Sequence, residues 1–373
     1  MSRKRILILF QFDENKHLLT KLCKELNDFD FDADLFNMRT FSYSGKVNSK
    51  LKLLQLIIRI PKFKVIIYKL FRKKIILDIS QQYDLIDIHF FSTIYDEIIP
   101  CFKKPIKVVF WGSDIYRIPI ERLNNLNNLL LKVKSVQFLT PEMKSYVSKS
   151  SFNHKNIFTQ PFGVVHFEKI RNLKNISQTA DLKSTLGLNP KKIQISIGYN
   201  GSQNQQHIEI IDQITKIPEE VKIKTELIFL MTYGGNQTYI DRVENKLKKS
   251  NFDYQIVTKH LTEAQICMFR IASDITLNFQ TTDGFSASIQ EHFFAGNVML
   301  LANWLPYEWL REKGLYFNSS SFGELNQKLE NIILNFEAEK KLSSTNIQKI
   351  ELISDWKSVA KNWSEIYKQT IEN

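Results

Sequence analysis

Short apolar runs alternate with helix-length segments along the whole chain. In the amino-terminal half the runs are Arg5 to Phe12, Phe29 to Phe36, Leu85 to Phe91, Lys107 to Trp111 and Ser135 to Leu139. After Pro161-Phe162-Gly163 a second series follows, at Ile193 to Ile197, Leu227 to Met231, Tyr254 to Val257, Ile275 to Leu277, Val298 to Leu301 and Leu315 to Phe317. Strands of this length separated by helices are typical of parallel sheets.

The two series predict an α/β protein with two doubly wound, Rossmann-like domains at residues 1–165 and 170–350. The chain has 373 residues, 43% of them hydrophobic, which is enough for two separate cores. Ligands of such domains bind beyond the carboxyl ends of the strands. A cleft between the domains is therefore the expected binding site.

Cysteine usage and the amino terminus favour a cytoplasmic protein. The three cysteines, Cys23, Cys101 and Cys267, lie far apart in the sequence and do not form a disulfide framework. The apolar run from Ile6 to Phe10 follows three basic residues but is too short for a secretory signal. We expect neither a signal peptide nor a membrane-spanning helix.

The net charge of +12 is concentrated in one segment. Between Asp34 and Asp78 there are eleven Lys and Arg and no acidic residue, so the remainder of the chain is close to neutral. Within residues 48–77 many Leu and Ile are interleaved with these charges, and Pro61 divides the run into two predicted helices. The basic residues of the second helix include Lys62, Lys69, Arg72, Lys73 and Lys74.

This basic amphipathic pattern predicts peripheral docking on the anionic inner face of the cell membrane, where each Lys or Arg contributes about 1 kcal/mol. Nucleic acid is not expected as a partner, because the segment offers few aromatic side chains on which bases could stack. The alternative is that the aliphatic face packs in the core and the basic face is solvated.

The turn after the first strand of the second series has the residues of an anion site. Gly198 and Gly201 follow the strand, and a helix is predicted to start near Asn204. Glycines let backbone amides approach an anion closely, and the start of a helix adds unpaired N–H groups and a positive dipole end. A diphosphate fits this description, although a glycine pair at a strand end is often only a turn.

Two later segments strengthen this interpretation. Met231-Thr-Tyr-Gly-Gly-Asn236 is another flexible turn that leads into a helix. Asp283 and Glu291 are eight positions apart around a predicted helix start, which places Asp283 in a loop and Glu291 about two helical turns inside. A loop carboxylate can bind sugar hydroxyls, and a helical one can accept hydrogen bonds from both hydroxyls of a ribose.

These residues resemble glycosyltransferases of the GT-B fold. The resemblance rests on Phe110-Trp-Gly-Ser-Asp114, the linker Pro161-Phe-Gly-Val164, and the Asp283-x7-Glu291 pair before Phe-Phe-Ala-Gly. The run from Gly198 to His207, together with Tyr239-Ile240, is more particularly similar to N-acetylfucosaminyltransferases that transfer from TDP-N-acetylfucosamine to lipid II.

The resemblance implies a UDP- or TDP-sugar donor in the carboxyl-terminal domain and a glycan acceptor, polyprenyl-linked in the fucosaminyl relatives, in the amino-terminal domain. It implies that residues 351–373 form a helix that returns to the first domain. Donor-binding residues carried over from the family are Gly198, Asn200, Gly201, Ser202, Asn204, His207, Tyr233, Gly234, Phe285, Ser286 and Glu291. Many such enzymes place an Arg and a Lys over the diphosphate, a role for which only Lys259 or Arg270 is available here.

Sugar transfer also needs a base for the acceptor hydroxyl. Asp114 and His89 each follow a predicted strand of the first domain, and either could serve. A structural Asp114 that caps the following helix is equally compatible with the pattern. Asp283 is the third candidate catalytic group, as a carboxylate that stabilises a cationic centre. Inversion and retention at the anomeric carbon both remain open.

No metal or other cofactor is expected, because amides and helix dipoles can stabilise a leaving diphosphate. The run Asp28 to Asp34 contains the Asp-x-Asp spacing of a GT-A metal site, but its acids alternate with apolar residues as on a strand. The alternative from another class is a two-domain protein that captures a nucleotide or a phosphorylated glycan without turnover.

Overall fold

The computed structural model describes residues 3–13, 16–46, 61–117, 119–148 and 153–372, with the backbone alone at 61–70, 120 and 123–125. Contacts divide the chain into two compact units. The first unit comprises Met1–Gly163 and Trp356–Asn373, and the second comprises Val164–Asp355.

The first unit contains a six-stranded parallel sheet in the order β2-β1-β3-β4-β5-β6. Its strands are β1 (Lys4–Phe10), β2 (Phe31–Asn37), β3 (Leu85–His89), β4 (Ile106–Phe110), β5 (Ser135–Phe138) and β6 (Ile157–Thr159). Its helices are α1 (Lys16–Leu26), α2 (Pro61–Ser80), α3 (Ser113–Tyr116), α4 (Ile120–Leu130), α5 (Pro141–Val147) and, from the end of the chain, α17 (Trp356–Glu372). The first five strands lie within two residues of their predicted bounds. Strand β6 has only three residues, none of them buried, and was not predicted.

The second unit contains another six-stranded parallel sheet, in the order β12-β11-β10-β7-β8-β9. Its strands are β7 (Ile193–Ile197), β8 (Thr225–Leu230), β9 (Asp253–Val257), β10 (Ile275–Asn278), β11 (Val298–Ala302) and β12 (Asn318–Ser320). Its helices are α6 (Phe167–Ile176), α7 (Thr179–Thr185), α8 (His207–Ile214), α9 (Glu219–Lys222), α10 (Gln237–Leu247), α11 (Glu263–Ala272), α12 (Ala287–Ala295), α13 (Glu308–Glu312), α14 (Leu325–Leu334), α15 (Phe336–Ser344) and α16 (Asn346–Ser354).

The last strand of the second sheet was predicted wrongly. Leu315 and Phe317 are buried, but they lie in a loop, and pairing with β11 begins only at Asn318. Apolar side chains in a core-facing loop produce the same short run as a strand, so the sequence pattern alone does not separate the two.

A fully buried polar cluster joins α17 to the first sheet. The Asp87 carboxylate on β3 accepts hydrogen bonds from the Tyr367 hydroxyl (2.5 Å) and the Lys107 ammonium (3.2 Å). The Lys107 nitrogen lies over the rings of Trp363, at 4.3 Å, and Tyr367, at 4.6 Å. Burial by itself raises the pKa of Asp87, but the charges of Lys107 and His89 hold it at about 2. Because a buried charge without a partner is very costly, these contacts favour one position of the helix on the sheet.

The basic segment is described only in part. Helix α2 begins at Pro61, as predicted, whereas the preceding predicted helix lies outside the described residues. Toward its end Ile76 and Ile79 are buried, while Lys73, Lys74 and the Phe71 ring are exposed. One face of the visible end of α2 therefore packs in the core, and the other carries charge into solvent. Within the described residues, no helix combines the length and apolar character needed to cross a membrane.

Candidate functional site

The predicted donor-site residues of the second unit lie on neighbouring loops. Strands β10, β7 and β8 are adjacent in the sheet, and the candidate loops follow each of them at its carboxyl end. Parallel pairing puts these three loops at one edge, which is the binding edge of doubly wound sheets. Glu291 is the exception, because it lies in α12, just over one turn from the start of that helix at Ala287 rather than two.

The turn after β7 touches the turn after β8 through the backbone. The Gly201 amide donates to the Tyr233 carbonyl at 2.7 Å. A Cβ built on Gly235 would lie 2.4 Å from the Gly201 carbonyl oxygen, and one on Gly201 would lie 3.1 Å from the Gly235 Cα. Gly234 has φ +77°, a conformation that favours glycine. Only residues without a Cβ allow this approach, so the two turns form one continuous surface.

Three amides on this surface are available to a ligand. The N–H groups of Asn200, Gly234 and Gly235 have no acceptor within the part of the chain that the structure describes. The Asn200 side chain lies beside them and accepts from the Ser202 amide at 2.9 Å. Clustered N–H groups on a concave turn attract anions, as expected for a diphosphate site.

The start of α8 is arranged differently from the sequence expectation. A short helical turn at Gln203–Gln205 comes first, Gln206 adopts φ +56°, and α8 begins at His207. The Gln206 side chain makes no capping hydrogen bond at the start of α8, and Nδ1 of His207 lies 3.3 Å from the Tyr239 hydroxyl. His207 itself is fully buried, and burial lowers its pKa to about 4, which makes it a neutral side chain at pH 7.

Polar side chains tie the loop after β7 to the loop after β10. The Gln280 side-chain oxygen accepts from the Gln205 amide at 3.0 Å and from the Tyr199 hydroxyl at 3.1 Å. The Asn204 carbonyl accepts from the Thr281 amide at 2.9 Å. These contacts fix the position of one loop on the other. Tyr199 and Gln280 were not predicted as site residues, because neither stands in a recognisable sequence spacing.

Asp283 organises the loop after β10. Its buried carboxylate accepts from the backbone N–H groups of Gly284 (2.9 Å) and Ser286 (3.2 Å) and from the Tyr307 hydroxyl. Burial raises its pKa above the usual value for Asp. The Ser286 amide is thus already engaged, whereas the Phe285 amide has no acceptor among the described residues.

The backbone of Phe285, in this loop, adopts a strained conformation. Its φ of +66° is unusual for a bulky side chain, and such backbone strain costs on the order of 1–3 kcal/mol. Its buried ring packs edge-on against Trp309, with centroids 5.1 Å apart. Strain of this kind is concentrated at binding sites, where the surrounding packing enforces it.

Glu291 is buried, with both carboxylate oxygens engaged. Oε1 lies 2.7 Å from Nδ1 of His166, and Oε2 lies 2.9 Å from Nε of Arg270. Burial alone raises its pKa, but the His166 hydrogen bond and the Arg270 charge more than offset this and lower the pKa below its usual value. Of the two candidates for the diphosphate role, Arg270 is buried and donates to Glu291, while Lys259 is exposed.

Asp114 lies inside the first turn of α3, whose N-cap is Gly112, so the alternative that it caps the following helix was wrong. Its carboxylate accepts from the backbone N–H groups of Trp111 (2.8 Å), Gly112 (2.9 Å) and Phe91 (2.9 Å). Burial raises its pKa to about 7, against the opposing effect of these hydrogen bonds. A carboxylate with a pKa near the working pH is suited to general-base catalysis.

His89 lies on the neighbouring strand in an aromatic cage. It is fully buried, its Nε2 is 2.9 Å from Asp87, and its ring stacks on Trp363 with an interplanar angle of 11°. Its Nδ1 has no hydrogen-bond partner within the described residues. Burial lowers its pKa. In this arrangement the His89 side chain has no contact with solvent. A general base needs such access, because it must contact the acceptor hydroxyl.

No group of three or more His, Cys, Asp or Glu that could hold a metal ion occurs among the described residues. Asp32 and Asp34, from the acidic run on β2, pair instead with Arg3, at 3.1 Å, and Arg5, at 3.7 Å. The expectation of a metal-independent reaction stays a prediction.

Comparison with solved structures identifies the fold. The chain is similar to HepE of Anabaena, solved with UDP and glucose, with a TM-score of 0.73, 13% identity, and 98% and 100% of the two chains covered. Sucrose-phosphate synthase of Thermosynechococcus elongatus matches with a TM-score of 0.74, 13% identity and coverage of 99% and 100%. A glycosyltransferase of Rickettsia africae matches with a TM-score of 0.74, 14% identity and full coverage of both chains.

These neighbours and the two parallel sheets confirm the predicted GT-B fold. In sequence, the chain matches no protein-family model and no curated protein. The finer resemblance to N-acetylfucosaminyltransferases stays a prediction.

The backbone contact between the two turns allows a prediction of how replacing a glycine there changes stability. We expect Gly235→Ala to lower the free energy of unfolding of the second unit by about 1–3 kcal/mol, because its methyl group would overlap the Gly201 carbonyl. Gly323→Ala is the matched control, since a Cβ there would lie 3.8 Å from its nearest neighbour. Urea unfolding of both variants measures the difference. Equal stability of the two variants would mean that the turns are not in contact.

Proposed function

We propose that this protein is a glycosyltransferase that moves a sugar from a nucleotide-sugar donor to a glycan acceptor without a metal ion. The acceptor is a lipid-linked or surface-polysaccharide glycan, and the enzyme acts at the inner face of the cell membrane, peripherally bound. UDP-sugars are the first donors to test, because HepE, which shares the fold, was solved with UDP-glucose.

One observation carries this proposal. Loops predicted separately for donor binding converge at one edge of the second sheet, where Gly201 and Gly235 touch and three neighbouring amides lack acceptors among the described residues. Clustered amides are suited to the charge that develops on a leaving diphosphate.

In the proposed reaction the amides of Asn200, Gly234 and Gly235 hold the donor diphosphate, and Glu291 accepts hydrogen bonds from the ribose. Asp283 keeps the Phe285 loop in place beside them. A base in the first unit removes the proton of the acceptor hydroxyl as it attacks the anomeric carbon. Asp114 is the favoured base, because its raised pKa lies near neutrality.

The decisive experiment is a donor panel. We expect the purified protein to hydrolyse one class of UDP-, TDP- or GDP-sugar slowly without acceptor, and Glu291→Gln to weaken binding of that nucleotide at least tenfold because a charged acceptor is lost. The exposed Glu312→Gln is the control. Calorimetry measures binding, and chromatography measures release of the nucleoside diphosphate. Tight binding without any release would favour the non-catalytic binding protein, and no binding at all would refute both alternatives.

The two candidate bases differ in their pH dependence. If Asp114 is the base, kcat/KM falls as the pH drops below about 7, where this carboxyl becomes protonated. If His89 is the base, the fall comes only below the ordinary histidine pKa of about 6.5, because burial lowers its pKa. We expect the first profile, and a loss of about 10²–10⁴ in rate for Asp114→Asn. A comparable loss in His89→Gln alone, with the limb at lower pH, would assign the base to His89.

Membrane docking is tested on the two exposed lysines of α2. We expect Lys73→Gln with Lys74→Gln to reduce binding to anionic vesicles about 30-fold, because each Lys contributes about 1 kcal/mol at an anionic surface. Exposed Lys132 and Lys134 of the same unit, changed in the same way, are the control. Vesicle flotation with and without anionic lipid gives the readout. Equal recovery with both lipid compositions would refute electrostatic docking.

A further inference from the structure

An open cavity of about 580 Å³ lies at the edge of the second sheet that the proposed donor site does not use. Its walls come from α7, from the residues just before β7 and β10, and from the junction of α14 and α15. The cavity is therefore where these two adjacent parallel strands begin, whereas the donor loops follow their carboxyl ends. Strands of five and four residues, at roughly 3.3 Å per residue, separate the two edges. A ligand in this cavity would not occupy the donor site.

The charged residues that line the cavity are mostly basic. They are four lysines and two acidic residues, namely Lys183, Lys191, Lys192, Lys340, Asp274 and Glu337. A concave surface with an excess of one charge sign concentrates ligands of the opposite sign. The composition of the lining therefore favours an anion.

One buried carboxylate holds two of the lysines in place. Oδ2 of Asp274 accepts from the Lys183 ammonium at 2.6 Å, and Oδ1 accepts from the Lys340 ammonium at 3.1 Å. Oδ2 also accepts from the backbone N–H of Gln194 at 2.9 Å. The side chain of Asp274 is 5% exposed and that of Lys340 is 46% exposed. The single carboxylate compensates one of the two positive charges, and Lys340 remains accessible to a second anion.

Lys191 supplies a positive charge that no described residue compensates. It is exposed, and its side chain forms no ion pair or hydrogen bond with the part of the protein that the structure describes. Its neighbour Lys192 pairs instead with Asp253 at 2.5 Å, and the Lys192 carbonyl accepts from the Lys183 ammonium at 3.2 Å. This backbone contact brings the segment that carries Lys191 next to the lysines held by Asp274.

The lining also contains an apolar set, formed by Pro190, Ile193, Ile333, Leu334, Phe336 and Ala338. Leu334 is 58% exposed, so a ring or a short carbon chain could cover apolar surface here that is now in water. The volume of the cavity lies within the range of about 300–1,000 Å³ that is typical of small-molecule sites. A water molecule takes up about 30 Å³ in the liquid, so a phosphate ion of five heavy atoms would fill only part of the space.

We propose that this cavity binds a small phosphorylated organic molecule, with its phosphate held by Lys191 and Lys340 and its carbon part packed against the apolar set. Lysine is a common phosphate ligand that acts as a point charge on a flexible stem. Helix α15 begins at Phe336 in the lining, and its positive dipole end adds to the attraction. The inference goes beyond the proposed function, because the ligand is distinct from the donor and binds at the opposite edge of the sheet.

The test measures binding of three probes by calorimetry, namely phenyl phosphate, inorganic phosphate and the uncharged benzyl alcohol. We expect the native protein to bind phenyl phosphate at least about fivefold more tightly than inorganic phosphate, because the ring covers apolar surface. Benzyl alcohol, which has no charge for the lysines, should show no measurable binding. These comparisons separate the contribution of the phosphate from that of the carbon part.

Two double variants locate the binding. Lys191→Gln with Lys340→Gln is expected to weaken phenyl phosphate binding about tenfold or more, because hydrogen bonds to charged groups are lost. Lys249→Gln with Lys328→Gln removes the same charge at exposed positions outside the cavity and should leave the affinity within about twofold of native. Urea unfolding of both variants checks that each remains folded, which is expected because all four side chains reach solvent.

A donor-site variant excludes the other anion site. Gly235→Ala distorts the turn after β8, and phenyl phosphate binding that depends on the cavity lysines should survive it. Loss of binding in Gly235→Ala but not in the cavity variant would place the probe at the donor turn and overturn the proposal. Equal weakening in both lysine pairs would also overturn it, because the attraction would then come from net charge alone. No binding of phenyl phosphate to the native protein, or no preference over inorganic phosphate, would likewise refute an organic phosphate site.

Discussion

The close approach of two backbone turns is the constraint on which the proposed site of the second unit depends. Gly201 and Gly235 meet without side chains between them, and the Gly201 amide donates to the Tyr233 carbonyl. A Cβ at Gly235 would overlap the Gly201 carbonyl, and one at Gly201 would make a contact with Gly235 that is tighter than usual. Since β7 and β8 are adjacent parallel strands, this contact joins the loops at their carboxyl ends into one amide-rich surface. The other candidate site residues of the loops after β7, β8 and β10 lie at the same edge of the sheet, and their proposed roles depend on this contact.

Near this surface, a side chain of the protein itself accepts hydrogen bonds from backbone N–H groups that a bound ligand could otherwise use. The Asp283 carboxylate accepts from two backbone amides of the loop after β10, those of Gly284 and Ser286. These interactions fix this loop before any ligand is bound, at the cost of donors that a diphosphate could otherwise use. Preorganisation of this kind reduces the entropy lost on binding.

Buried charge appears in both units, and in each it is compensated locally. In the first unit Asp87 pairs with Lys107 under the rings of α17, and in the second Glu291 pairs with Arg270 and His166. Removing one partner from such a cluster is costly, because the other charge remains buried. The clusters therefore favour one arrangement of each unit, and the second also keeps a carboxylate ionised where a ligand is proposed to bind.

Local sequence patterns determined the strands and the turns, because alternating apolar runs and glycines act through near neighbours. They gave ten of the twelve strands in place or nearly so, missing β6 and misplacing β12 by three residues. They also located the glycine turn, Asp283 and Glu291. The contacts of Glu291 could not be predicted in the same way, because His166 is 125 positions away and no spacing rule connects the two. The contact of His207 with Tyr239 and the burial of His89 were likewise decided by tertiary packing, which brings distant residues together through the sheet order.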